Sequence, residues 1–175
     1  MEASEICLQL IKGYEKLRLK SYPCPAGVWT IGYGTTHYEN GNPVHPHETI
    51  TLECAIELLM IEVHRCEFYA NKNILIPLMQ HQFDAIISFI QNVGIAGFLK
   101  STLYKKILRN PFDPRIPEYF ARYKFGGDGT KNKIDDDGDG LIDEEGERQR
   151  LAGLIRRRKS EAHLYTTGEL NFFET

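Results

Sequence analysis

No apolar run in this sequence approaches the roughly 18 residues that a membrane-spanning helix needs, which excludes an integral membrane protein. The opening residues, MEASEICLQLIKGYEK, lack a basic stretch followed by an apolar one, so no signal peptide is expected. The four cysteines, Cys7, Cys24, Cys54 and Cys66, form no CxxC pair. None of the six histidines falls in an HExxH or Cys–His pattern, which argues against a zinc site. Without a signal the thiols are expected reduced, in a cytoplasm. Internal repeats and low-complexity linkers are absent, and tryptophan occurs once, at Trp29. With 42% apolar and 26% charged residues, disordered, collagen-like and coiled-coil chains are excluded too. The 175 residues suit one domain, 1–175, with a full hydrophobic core.

Acidic charge is scarce except in one place. Residues 135–147, DDDGDGLIDEEGE, hold eight acids and no Lys or Arg; the rest of the chain carries 21 basic against 16 acidic residues. A mildly basic body suits an anionic polymer such as nucleic acid, cell wall or glycan.

Ser4 can cap a first helix running to about Lys16, with Ile6, Leu10, Ile11 and Tyr14 apolar. Residues 17–42 then alternate and turn, with PCPAG and ENGNP as breakers around VWTIGYG, and predict an antiparallel sheet of two or three strands. From Thr51 onward the pattern is helical: Leu52, Ala55, Ile56, Leu59, Val63 and Cys66 share a face, then Phe83, Ile86, Ile87 and Ile90. NVGIAG (92–97) breaks the pattern, Ser101 caps a helix STLYKKILR, another lies near 115–124, and a last one spans about 147–166. Its predicted apolar face holds Leu151, Leu154, Ile155, Ala162 and Tyr165, with Arg158 in the middle of the stripe. A buried arginine needs a carboxylate, and Glu15 and Glu161 are the two candidates. The fold class is therefore α+β, with a sheet lobe over about 17–45 and a helical lobe over 1–16 and 46–175. A cleft between such lobes is a natural active site.

Glu15 ends the first helix just before the sheet. A carboxyl shielded from water there holds its proton to higher pH, as a general acid requires. The stretch EKLRLKSYPCPAGVWTIGYGTT (15–36) resembles the signature of phage-type lysozymes, glycoside hydrolase family 24: a Glu, eight residues, Asp or Cys, five residues, Thr. Those positions are Glu15, Cys24 and Thr30. The resemblance continues in QFDAIISFIQNVGIAGFLKSTL (82–103) and GLIRRRKSEAHLY (153–165), and leaves out only about 126–147. Lys16 and Thr35 stand where many members have Gly and His.

The resemblance implies a lysozyme-like fold and a peptidoglycan muramidase that cleaves the β-1,4 bond between N-acetylmuramic acid and N-acetylglucosamine. It implies Glu15 as the acid, Cys24 as the group on the other face of the sugar, and Thr30 as the residue that orients water. A free thiol is only a few per cent ionised at pH 7, and loop amides or a basic body favour the thiolate. The implied partner is the glycan strand of peptidoglycan, not nucleic acid. The implied biology is a monomeric endolysin that lyses the host. It would be made in the host cytoplasm, lack a membrane anchor, and reach the wall through a separate holin-type pore. Two other readings fit the residues: a non-catalytic calcium-binding module on the same scaffold, and a Cys24–His37 thiol hydrolase of wall peptides.

The acidic segment fits the first nine positions of a calcium loop. Asp135, Asp137 and Asp139 take positions 1, 3 and 5, Gly140 the sharp turn, Leu141 the backbone-carbonyl position, and Asp143 position 9. Position 12, normally a bidentate Glu, is Gly146. Calcium is expected as a structural ion within an insertion over about 126–147, with no cofactor for catalysis.

Overall fold

A computed structural model describes residues 1–24, 27–123 and 145–173, with side chains of the last helix from Ala152 onward. The calcium-loop residues Asp135, Asp137, Asp139, Leu141 and Asp143 lie outside the described residues.

Helix α1 (Glu5–Tyr14) starts at Ser4, whose side-chain oxygen accepts from the Ile6 amide. Asp84 fixes that cap by accepting from the Ser4 amide at 2.8 Å and the Ser4 hydroxyl at 2.6 Å. Cys7, Leu10 and Ile11 are buried, whereas Ile6 is exposed. The helix ends two residues before Lys16 because Glu15 turns extended, at φ −88° and ψ 119°. Strands β1 (Arg18–Pro23) and β2 (Trp29–Gly32) form a two-stranded antiparallel sheet, with Tyr22 opposite Thr30 and Pro23 opposite Trp29. The rest of the lobe is turns tied by single bridges, such as Lys20 with Thr49 and His37 with Pro43. Gly32 and Gly34, at φ +66° and +106°, let the chain reverse after β2 in a region that side chains disfavour.

Thr51 caps α2 (Leu52–Asn73), which packs on both β2 and α3 (Gln80–Val93). The α2 core face is Ala55, Leu59, Val63, Cys66 and Ala70; Leu52, expected there, is exposed at the first turn. Helix α3 is the central rod, with Phe83, Ile86, Ile87 and Ile90 buried as their spacing predicts. Burying each such side chain stabilises by about 1.5–3 kcal/mol. The break in NVGIAG is confined to Gly94, at φ +77°, and α4 (Ile95–Lys100) resumes at once and runs through Gly97. Ser101 caps α5 (Thr102–Arg109), and α6 (Ile116–Ala121) follows with Pro117 in its first turn. Helix α7 (Glu145–Thr167) packs along α3, α6 and α1. Its buried face differs from the predicted stripe: Arg157, Arg158, Ser160, Glu161, Ala162, Leu164 and Tyr165 are inside, while Ile155 is exposed. No helix among the described residues is long and apolar enough to cross a membrane.

Candidate active site

Glu15 stands where α1 hands over to the sheet lobe, with 26% of its side chain exposed. The Arg157 guanidinium, only 3% exposed, donates from Nη1 to Glu15 Oε1 at 2.6 Å. The same fork donates from Nε to Glu161 Oε1 at 3.1 Å, and from Nη2 to the Ser88 carbonyl at 3.1 Å and Gln91 Oε1 at 2.7 Å. Arginine suits this role because its planar donors have fixed directions. Glu15 is thus partly shielded from water, as expected, and also faces a guanidinium. Its second oxygen, Oε2, is turned towards Gly34, where an added Cβ would lie 3.9 Å away.

Gly34 also borders a cleft of about 720 Å³ between the turns after β2, the face of α2 carrying Leu58 and Glu62, and Gln91 of α3. One wall of the cleft thus touches Glu15 through Gly34, and another touches Arg157 through Gln91.

Cys24 follows β1 in a tight turn: its amide donates to the Val28 carbonyl at 2.9 Å and its carbonyl accepts from the Gly27 amide at 2.7 Å. Its thiol is free and half-buried. Thr30 is buried on β2 and donates its hydroxyl proton to the Val28 carbonyl at 3.1 Å, so its lone pairs remain to accept a proton from another group. Tyr22 lies across the ladder from Thr30. Burial pushes the Tyr22 phenol up, the Glu15 and Cys24 charges push it further, and Arg18 opposes them, so the hydroxyl stays protonated. Tyr22 thus stands opposite Thr30 on the ladder and within the electrostatic reach of both Glu15 and Cys24.

Arg158 is buried as its place in the stripe predicted, at 1% exposure, but its carboxylate is Glu161 and not Glu15. Glu15 belongs to Arg157, one residue earlier and about 100° round the helix. Arg157, Gln91, Gly34 and Tyr22 were not foreseen as site residues. The run Arg156–Arg158 was the one available signal for Arg157. Among the described residues no hydrogen bond joins Cys24 Sγ to His37, whose Nδ1 meets Thr36 Oγ1 at 3.1 Å. Among the described residues no three His, Cys, Asp or Glu side chains converge as a metal site would require.

A small sheet lobe, a helical lobe wrapped around one buried helix, and a carboxyl at their junction define a lysozyme-like α+β glycosidase. The phage lysozyme family model matches residues 12–161, and the chain belongs to that family. The sequence is 38% identical over 165 residues to the endolysin of Acyrthosiphon pisum secondary endosymbiont phage 1, covering 94% of this chain and 98% of that one. The fold is similar to the endolysin from Escherichia coli O157:H7 phage FAHEc1, with a TM-score of 0.78 and 29% identity over 98% of this chain and 97% of that one. It is also similar to the muramidase domain of SpmX from Asticaccaulis excentricus, with a TM-score of 0.74 and 28% identity over 95% and 98% of the two chains.

Proposed function

We propose that this chain is an endolysin muramidase of the glycoside hydrolase family 24 type. It cleaves the β-1,4 bond between N-acetylmuramic acid and N-acetylglucosamine in peptidoglycan and so lyses the host. The observation that carries the reading is the division of labour at Glu15: Oε1 is pinned by Arg157, and Oε2 is left facing Gly34, a residue of the cleft wall. In the proposed step Oε2 gives its proton to the glycosidic oxygen as the bond to the anomeric carbon breaks. The leaving sugar departs as an alcohol, and Arg157 holds the carboxylate that results. Cys24, on the opposite side, stabilises the positive charge at the anomeric carbon or takes a proton from water. Thr30 accepts a hydrogen bond from that water and aligns it. The oxygen of water ends on the anomeric carbon, its released proton passes to solvent directly or by way of Cys24, and Glu15 recovers its proton from solvent.

The same reading makes the protein a single-domain monomer, produced in the host cytoplasm and released through a separate holin-type pore. Residues 135–143 then bind one structural calcium ion through Asp135, Asp137, Asp139, the Leu141 carbonyl and Asp143. Glu15→Gln keeps size and polarity but cannot donate the proton. General acid catalysis is worth about 10²–10⁴-fold, and lysis of outer-membrane-permeabilised cells should slow by at least that factor. A variant that keeps most of its activity removes this mechanism and favours the non-catalytic reading of the acid.

A further inference from the structure

Behind Glu15 lies a fully buried carboxylate that the mechanism above does not use. Glu161 is 0% exposed, and three donors converge on its Oε1: Ser88 Oγ at 2.9 Å, Arg157 Nε at 3.1 Å and Arg158 Nη2 at 3.2 Å. Its Oε2 is 3.1 Å from Arg158 Nε, yet that N–H is not aligned on it, so this contact is an ion pair without a hydrogen bond. Arg158 is otherwise held by Asn92 Oδ1 at 2.8 Å and by the face of the Phe89 ring at 4.7 Å. Burial pulls the Arg158 guanidinium down to about 10, against the pull of Glu161, so it is still a cation at neutral pH.

We propose that Glu161 is a positioning residue for the reaction, acting on Glu15 through Arg157, and that Arg158 is the counter-charge that leaves the Arg157 cation to Glu15. The inference rests on Glu15 being the acid. Two points carry it. Glu161 fixes the Nε edge of Arg157, and a planar guanidinium fixed at one edge has its Nη1 direction fixed as well. That direction ends on Glu15 Oε1 and leaves Oε2 facing Gly34, which borders the cleft. The second point is charge. With Glu15 ionised the four groups are balanced, two carboxylates against two guanidiniums. Without Arg158, one cation would serve two carboxylates; without Glu161, two cations would act on Glu15 alone.

Around Glu161 the charged and titratable neighbours are Arg157 and Arg158 from α7, and Tyr14 and Cys7 from α1, while α3 offers the neutral Ser88. Burial raises both the Tyr14 phenol and the Cys7 thiol, so both remain neutral. Beyond Glu15 stand Tyr22, Arg18 and Cys24.

The test is the pH profile of reducing-end release from purified peptidoglycan, expressed per folded molecule by circular dichroism. In Glu161→Gln the alkaline limb, where the acid loses its proton, should move to lower pH by about one unit. In Arg158→Met it should move to higher pH by a similar amount. Combining the two changes restores the charge balance and should return the limb to its original place. Ile107→Ala, in the core of α5, should lower stability and leave the limb unmoved. Shifts of the same sign, no shift in either variant, or a shift in the Ile107 control would overturn the proposal. Should a single variant not fold, the double variant decides, because a limb displaced by a full unit there contradicts the charge argument. Glu15→Gln separates the two ideas: if it stays active, Glu15 is not the acid. If it is inactive and both limbs are unmoved, only the positioning role fails.

Discussion

Replacing Arg157 with methionine removes one guanidinium that donates to Glu15, Glu161, Ser88 and Gln91 at 2.6–3.1 Å, from a side chain only 3% exposed. Counting each hydrogen bond to a charged group at about 1.5–3 kcal/mol would exaggerate the loss, because Arg158 remains on Glu161 and water can reach the partly exposed Glu15. The cost of removing one partner from a buried ion pair, about 3–5 kcal/mol, is the better guide. Unfolding entropy near 2.1 cal/mol/K per residue gives about 0.37 kcal/mol/K for a chain of 175 residues. Each kcal/mol then lowers Tm by about 2.7 °C, and Arg157→Met should melt about 8–14 °C below the parent. Scanning calorimetry reads that shift. Peptidoglycan turnover measured well below the melting range should also fall, since Glu15 loses its orientation. Arg157→Lys keeps the charge without the fork and should fall between the two in both measurements. A methionine variant that melts within about 3 °C of the parent, or turns over at the parental rate, would refute the role given to this network.

Cys24→Asp should remain active and Cys24→Ala should lose most activity, measured by turbidity of permeabilised cells; an alanine variant that cleaves normally makes Cys24 a bystander. Thiol titration of the native protein with a coloured disulfide at mildly alkaline pH should modify the half-buried Cys24 and Cys54 and spare Cys7 and Cys66. Both of the latter are buried, and burial pushes the Cys66 thiol up to about 12 and Cys7 further still. Equal rates at all four would contradict the burial of Cys7 and Cys66 in the core. Calcium at 100 times its Kd should add about 2.7 kcal/mol, so a chelator should lower Tm by several degrees, and Asp135→Ala with Asp139→Ala should abolish the response. Equal stabilisation by magnesium would count against a calcium loop.

Periodicity made most of the helices legible. Phe83, Ile86, Ile87 and Ile90 have one environment, a packed core, so hydrophobicity alone fixes their face. Side-chain caps at Ser4, Thr51 and Ser101 are local chemistry and can be read from the chain. Helix α7 was harder because its inner face is ionic. Arg157, Arg158 and Glu161 are buried by one another's charge, so a pattern of apolar residues pointed to a stripe that includes the exposed Ile155. The pairing of Glu15 with Arg157 depends on which of two neighbouring arginines faces α1, a rotation that no local signal encodes. For the same reason Tyr22 and Gln91 came to light only through the strand register and the packing of α3. Glu15, Cys24 and Thr30 were accessible as a spaced motif.

The carboxylate of Glu15 and the guanidinium of Arg157 meet across 142 positions of the chain. Ribosomes add roughly 5–20 residues per second, so Glu15 is made about 7–28 s before its partner. During that interval α1 and the two strands exist without the helix that holds the Glu15 carboxylate. A translation product cut short before α7 carries Glu15, Cys24 and Thr30 and still lacks the guanidinium that holds Glu15. Arg157 and Glu161 both come from α7, so the network around Glu15 closes only after residues 157–161 have been made.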